Sequence, residues 1–148
     1  MLLTIEVIAW LVLLVFALRG ARWAYAIFVL LAFVWIPART GFHLHAPPCE
    51  MRFAPDLVVS SSLKYKHIIL WSLFFVMTWI QVRGRRHALL IAAIATLAMG
   101  ILIELEEGAT GTGLCKATDL LPDAIGALIG AGVAMAWAKS KRQDDRVV

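Results

Sequence analysis

Apolar residues in this chain run in blocks and do not alternate. The blocks are Leu2–Leu18, Trp23–Ile36, His67–Val82, Ala88–Leu105 and Leu120–Ala138, and the segments between them carry most of the charge. A strand with one wet face alternates with period two, whereas unbroken runs approaching about 20 residues fit helices that cross a bilayer. An open sheet would also leave backbone groups unsatisfied in lipid. The pattern therefore predicts an all-α, polytopic membrane helix bundle of about five transmembrane helices. The second run is short, so it either takes in Ala21, Arg22 and Ala38 or tilts in a thin region, and four spans with one interfacial helix is the alternative count. Residues 1–138 read as one integral membrane domain and 139–148 as a disordered cytoplasmic tail.

Composition agrees, with 61% hydrophobic and 16% charged residues and a mean hydropathy of +0.83. The positions of Lys and Arg add a direction. With the N-terminus outside, the inner side holds Arg19, Arg22, Arg83, Arg85, Arg86, Lys139, Lys141, Arg142 and Arg146, nine of the 14, and the outer side holds Arg39, Arg52, Lys64, Lys66 and Lys116. Cytoplasmic loops collect positive charge, so the N-terminus is expected outside and the C-terminus in the cytoplasm. The flank of the first run carries Glu6 and no Lys or Arg, which is the reverse of a cleaved signal peptide. The net charge of +4 then serves orientation and attraction to anionic lipid, and nucleic acid is not an expected partner.

This topology puts both cysteines of the chain, Cys49 and Cys115, in the two outer loops. In an oxidising compartment they either close a disulfide, tying the loop 37–63 to the loop 108–118, or remain two buried thiols. Zinc at His43, His45 and Cys49 lacks a standard ligand spacing, so no metal is expected and no cofactor motif is present.

Acids gather at the same side. Glu104, Glu106, Glu107, Asp119 and Asp123 lie at the edges of the last two apolar runs, where an ionised carboxylate is costly without a partner or a task. Glu104 and Glu107 share a helical face, as do Asp119 and Asp123. Part of the cluster has a structural explanation, since Thr118 or Asp119 can cap the last helix, Pro122 suits its first turn, and negative charge is favoured there. Gly126 and Gly130 have the small-xxx-small spacing that admits a close neighbouring helix, so helix packing is their expected role. Lys64, Lys66 and His67 open the third run on the same side. They either neutralise carboxylates, hold a phosphate and move a proton, or snorkel to headgroups and pack.

The C-terminal half resembles the VanZ-like membrane proteins over about Ser62 to Trp137. That family places a glutamate, then a glutamine three residues on, an aspartate at fifteen, an asparagine at nineteen, and glycines at twenty-two and twenty-six; Glu104, Glu107, Asp119, Asp123, Gly126 and Gly130 keep this spacing, with acids in place of both amides. The family arginine falls on Gly113, with Lys116 nearby, and an upstream Asp-Lys-x-x-His step is matched by Lys64 and His67 with Leu63 at the aspartate place. The resemblance implies a bacterial cytoplasmic membrane and a link to reduced sensitivity to the glycopeptide teicoplanin. It also implies an outer polar mouth that acts on or binds an envelope lipid or a lipid-linked cell-wall precursor. On that reading Glu104 or Asp119 serves as acid or base and His67 as proton carrier, while Lys64, Glu107, Lys116 and Asp123 bind ligand. Thr110, Thr112 and Thr118 supply hydroxyls, although such loop hydroxyls usually bond backbone. The reading from a different class is a non-catalytic accessory protein whose ion pairs fix helix packing. A transporter is a third choice, because paired repeats and broken helices are lacking.

Overall fold

Helices α1 (Leu2–Leu18) and α2 (Arg22–Thr40) form a hairpin turned at Gly20. Its φ of +91° lies in the region that only glycine enters without strain. The computed structural model describes residues 2–40, 49–52, 54–111 and 115–144. Beyond the hairpin come a short α3 (Pro55–Ser62), then α4 (Tyr65–Val82), α5 (Ala88–Thr110), a 3-10 turn at Ala117–Asp119 and α6 (Leu120–Asp144). Among the described residues helix is the only regular structure, and no strand forms beyond one isolated bridge between Glu50 and Lys116.

Helix α4 is the axis of the bundle, buried without a break from Phe74 to Ile80. A helix apolar all round needs neighbours on every side, and over Phe74–Ile80 α4 has them. Phe75, Val76, Trp79 and Ile80 meet Ala88 and Ala92 of α5 and Ala127 and Ala134 of α6. Trp71, Phe74 and Met77 meet Ala17, Ala24 and Phe28 of the α1–α2 hairpin. Aromatic edges add direction, as in Trp71 against Phe74 with ring centroids 5.5 Å apart. The outer faces stay apolar, with Leu30, Ile94 and Leu128 at 64%, 60% and 74% exposure. An apolar surface of this extent fits contact with lipid.

The α4–α6 pairing is the tightest in the fold. A Cβ on Gly126 would lie 2.7 Å from the Ile68 carbonyl oxygen and 2.8 Å from Trp71 Cβ, and one on Gly130 would lie 2.7 Å from both Phe75 Cβ and the Ser72 oxygen. Backbones this close have no room for a side chain. Ser72 Oγ fills the contact, its one hydrogen shared between the Ile68 carbonyl at 2.7 Å and the Gly126 carbonyl at 2.9 Å.

Three helical stretches are long and apolar enough to cross a membrane, namely Tyr65–Val82, Ala88–Thr110 and Ala117–Lys141. The described side chains of α1 and α2 supply shorter apolar stretches, Ile8–Leu18 and Arg22–Val34. The turn between α1 and α2 lies at the same end as the α4–α5 turn, because Gln81 Nε2 donates to the Ala17 carbonyl at 2.8 Å. Arg19 and Arg22 thus share an end with Arg83, Arg85 and Arg86, and the acids occupy the other.

Four local expectations need correction. The tail from Lys139 is not disordered at its start, since α6 continues to Asp144; Lys, Arg and Gln are good helix formers that extend a helix past its apolar part. Helix α2 runs on past Pro37 to Thr40. The loop 37–63 contains α3, opened by Pro55 at the first turn with Asp56 beside it, the usual chemistry of a helix start. The loop 108–118 is shorter than expected, because α5 persists to Thr110 and stops at Gly111, whose φ is +66°.

Substituting Gly130 by Leu should lower stability by at least about 1–3 kcal/mol through overpacking against α4. Gly132, which has open space around its Cβ position, should accept Ala with no loss. Thermal unfolding of the detergent-solubilised chain, followed by circular dichroism, reads both; equal melting temperatures for the two variants would contradict the seam.

Candidate functional site

Helices α3, α4, α5 and α6 all place an end at the side opposite the arginines. Cys49 and Cys115 are joined there by a disulfide, with Cα atoms 4.7 Å apart. The bridge seats a short extended pair: the Glu50 N–H donates to the Cys115 carbonyl at 2.8 Å, and the Ala117 N–H donates to the Glu50 carbonyl at 3.0 Å. In the chain-entropy picture a bridge closing 66 residues is worth about 4 kcal/mol. In a bilayer that already holds α4 and α5 the contribution would be smaller, because insertion alone brings the two ends to one side. His43, His45, Thr112 and Gly113 lie outside the described residues. Cys49 sulfur is bonded in the disulfide and is no zinc thiolate.

Glu104 is held by this staple. It is 6% exposed, and its Oε2 accepts a 3.0 Å hydrogen bond from the Lys116 backbone N–H, next to the bridged Cys115. Gly108 makes room for the arrangement, since a Cβ there would stand 2.8 Å from Cys115 Cβ. A small cavity of about 90 Å³ lies between the disulfide, Glu104 and Leu120. The Lys116 ammonium reaches toward Glu50 at 3.9 Å, an outlying and loose pair.

Asp119 and Asp123 have stronger partners. Lys64 Nζ donates to both oxygens of Asp119 at 2.6 Å, and Ser61 Oγ of α3 donates to Oδ1 at 3.1 Å. His67 Nδ1 lies 3.3 Å from Asp123 Oδ1. Asp123 is 1% exposed, and its Oδ2 packs over Gly100 of α5, where a Cβ would be 2.7 Å away. The carboxylate occupies the space that any side chain at position 100 would need. Burying charge this deeply demands pairing, and these pairs meet the demand.

The two sides of each pair differ in exposure. The Lys64 and His67 side chains are 39% and 38% exposed, against 11% for Asp119 and 2% for Asp123. Acids form the floor and cations the rim. Glu107, with Lys64 and His67 in coulombic range, stands half-buried beside them. The carboxylate oxygens of Glu106 are shielded and have no hydrogen-bond partner among the described residues.

Of the residues singled out in the sequence, Lys64, His67, Asp119 and Asp123 therefore meet in two pairs. Glu104 bonds to backbone within range of their field but not to either pair. A 3-10 turn, Ala117–Asp119, precedes α6, and Lys116 takes the cap position of that turn without a side-chain bond. Asp119 is turned to Lys64. Thr110 Oγ1 donates to the Glu106 carbonyl at 2.7 Å and Thr118 is buried, so these hydroxyls are poorly placed as nucleophiles. Sequence reasoning missed Ser61 and Gly100. Ser61 belongs to a helix too short to show as an apolar run. Gly100 had a readable signal, a lone glycine inside an apolar helix, which often marks a close approach.

No family model matches this chain, and no curated protein or solved structure does.

Because Asp119 is buried and Lys64 is part-exposed, losing the lysine should hurt more than losing the charge on the acid. Lys64→Gln should cost about 1–3 kcal/mol, Asp119→Asn about 1 kcal/mol, and the double variant less than their sum. Unfolding of all three in one detergent closes the cycle. Strict additivity would mean that the pair contributes no coupling.

Proposed function

We propose that this chain is a VanZ-like multi-pass protein of the bacterial cytoplasmic membrane. Its polar mouth, on the extracytoplasmic side, binds the phosphate-bearing headgroup of an envelope lipid or lipid-linked cell-wall precursor. Protection against a glycopeptide such as teicoplanin is the phenotype that this reading attaches to it. The observation that carries the reading is the order of charges at the mouth, with buried acids and exposed cations. A cluster of free carboxylates would repel phosphate. Carboxylates sunk beneath Lys64 and His67 hold those cations in place and leave positive charge facing outward.

The roles follow from the contacts. With both oxygens on Lys64, Asp119 acts as a positioning residue and is badly placed to take a proton from a ligand. His67 turns Nδ1 to Asp123, which leaves Nε2 to meet a ligand or carry a proton, the usual division of labour in an imidazole with one nitrogen held. Glu104, with one oxygen on the Lys116 amide, keeps a second oxygen for acid–base work. The orientation rests on five spans and on the arginine-rich end, which cytoplasmic loops favour. A second reading, a non-catalytic accessory protein, is favoured by Asp123, whose fit over Gly100 is that of a packing element.

Two measurements test the proposal. Full-length chain in detergent should bind a polyprenyl phosphate in mixed micelles, and His67→Gln or the double variant Lys64→Gln/Asp119→Asn should weaken binding about tenfold, the loss expected for one charged hydrogen bond. The double variant keeps the pair neutral on both sides, so folding is spared. Unchanged binding in both would sink the phosphate reading and leave the packing role. For topology, reporter fusions after Arg86 and after Val148 should both report the cytoplasm, and an external signal at either reverses the assignment of sides.

A further inference from the structure

The opposite end of the bundle carries a second hollow that the polar mouth does not use. It measures about 560 Å³ and is lined by Arg83, Arg85, Arg86, His87 and Lys139, with Trp79 among its walls. No lining residue is acidic, and no ion pair among the described residues engages these cations. The arginines and His87 are exposed. Helix α5 begins here at Ala88, with no side chain capping it, so the positive end of its dipole faces the same hollow.

This hollow adjoins an apolar one. Leu89 and Leu90 line both it and a groove of about 520 Å³ that runs between α5 and α6, past Ala93 and Ala131, to Leu97 and Ala124. The groove exists because α6 presents Ala124, Ala127 and Ala131 where larger residues would meet α5. Both volumes lie within the roughly 300–1,000 Å³ of ordinary ligand sites. A cationic mouth beside an apolar slot has the charge order of one ligand class.

We propose that the α5–α6 face is a specific site for an anionic glycerophospholipid, with the phosphate held by Arg83, Arg85 and Arg86 and one acyl chain lying along the alanine-lined groove. The site is distinct from the polar mouth and stands whether or not that mouth binds phosphate. General attraction of loop arginines to an acidic leaflet needs no groove; this site does. The lipid also covers α5 and α6 where they leave a gap toward the membrane, and so joins the two helices beyond their own contacts.

The test uses the full chain, stripped of lipid in a mild detergent and titrated in mixed micelles with phosphatidylglycerol or phosphatidylcholine, with bound lipid counted by native mass spectrometry. Phosphatidylglycerol should be retained in preference to phosphatidylcholine. Arg85→Gln and Arg86→Gln should each reduce its retention roughly fivefold, the worth of one cation at a membrane surface. Ala131→Leu and, separately, Leu97→Phe should reduce retention comparably with every arginine intact, because they fill the groove. Equal retention of the two lipids overturns the proposal. So does loss of retention in the arginine variants alone, with both groove variants at wild-type level, since that is non-specific surface charge. The melting temperature of each variant without added lipid, if close to wild type, assigns the loss to the site and not to unfolding.

Discussion

The parallel seam between α4 and α6 is the contact on which the rest of this molecule hangs. Lys64 meets Asp119 across 55 positions and His67 meets Asp123 across 56. Trp71 packs on Gly126 and Phe75 on Gly130, again 55 apart by subtraction of the numbers. One register therefore produces both the ion pairs at the end of the seam and the glycine contacts in its middle. The seam positions advance by three or four residues on each helix, as a helical stripe must. Without glycine at 126 and 130 the helices would separate, and the side chains at the mouth would lose the reach that gives 2.6 Å and 3.3 Å contacts. Packing and polar chemistry are the same structural fact seen at two depths.

That unity explains what was legible in the sequence. The long helices announce themselves as apolar runs, since lipid demands apolar surface over the whole length of a span. Acids and cations could be assigned to one side by following the chain back and forth, and so could the two cysteines. The partner of each acid could not be read that way, because Lys64 and His67 each had the five clustered carboxylates, and Glu50 and Asp56 besides, to choose from. Only the offset between α4 and α6 decides, and that offset is held by contacts too local for composition to express. Helix α3 escaped because eight residues with three serines make no apolar run, yet its Ser61 completes the Asp119 site. The far end of α6 was cut short for the converse reason: apolarity ended at Ala138 while helix propensity did not.

The disulfide has a different standing from the seam. The seam sets which helices touch, whereas the bridge sets where the segment 115–117 lies once they do. Its most direct consequence is the Lys116 N–H offered to Glu104, a donor supplied by backbone and so independent of any side chain's rotamer. A buried carboxylate satisfied by a fixed amide is more constrained than one satisfied by a long lysine. Glu104 is thus held by backbone, while the Lys64 and His67 side chains that answer Asp119 and Asp123 retain access to the surface.

The two ends of the bundle solve the problem of charge near lipid in opposite ways. At the acidic end the three most buried carboxylates, Glu104, Asp119 and Asp123, are each answered by another group, because a carboxylate at 1–7% exposure has no water to fall back on. At the arginine end the cations stand exposed and, among the described residues, without an ion pair, which is tolerable because long side chains can reach the headgroup layer. Pairing fixes geometry and exposure preserves availability. An end built of pairs is suited to holding a ligand in one pose, and an end built of free cations is suited to capturing any anion that arrives at the right depth. The apolar groove beside the arginines narrows that second choice, since an anion without a chain fills only half of the space provided.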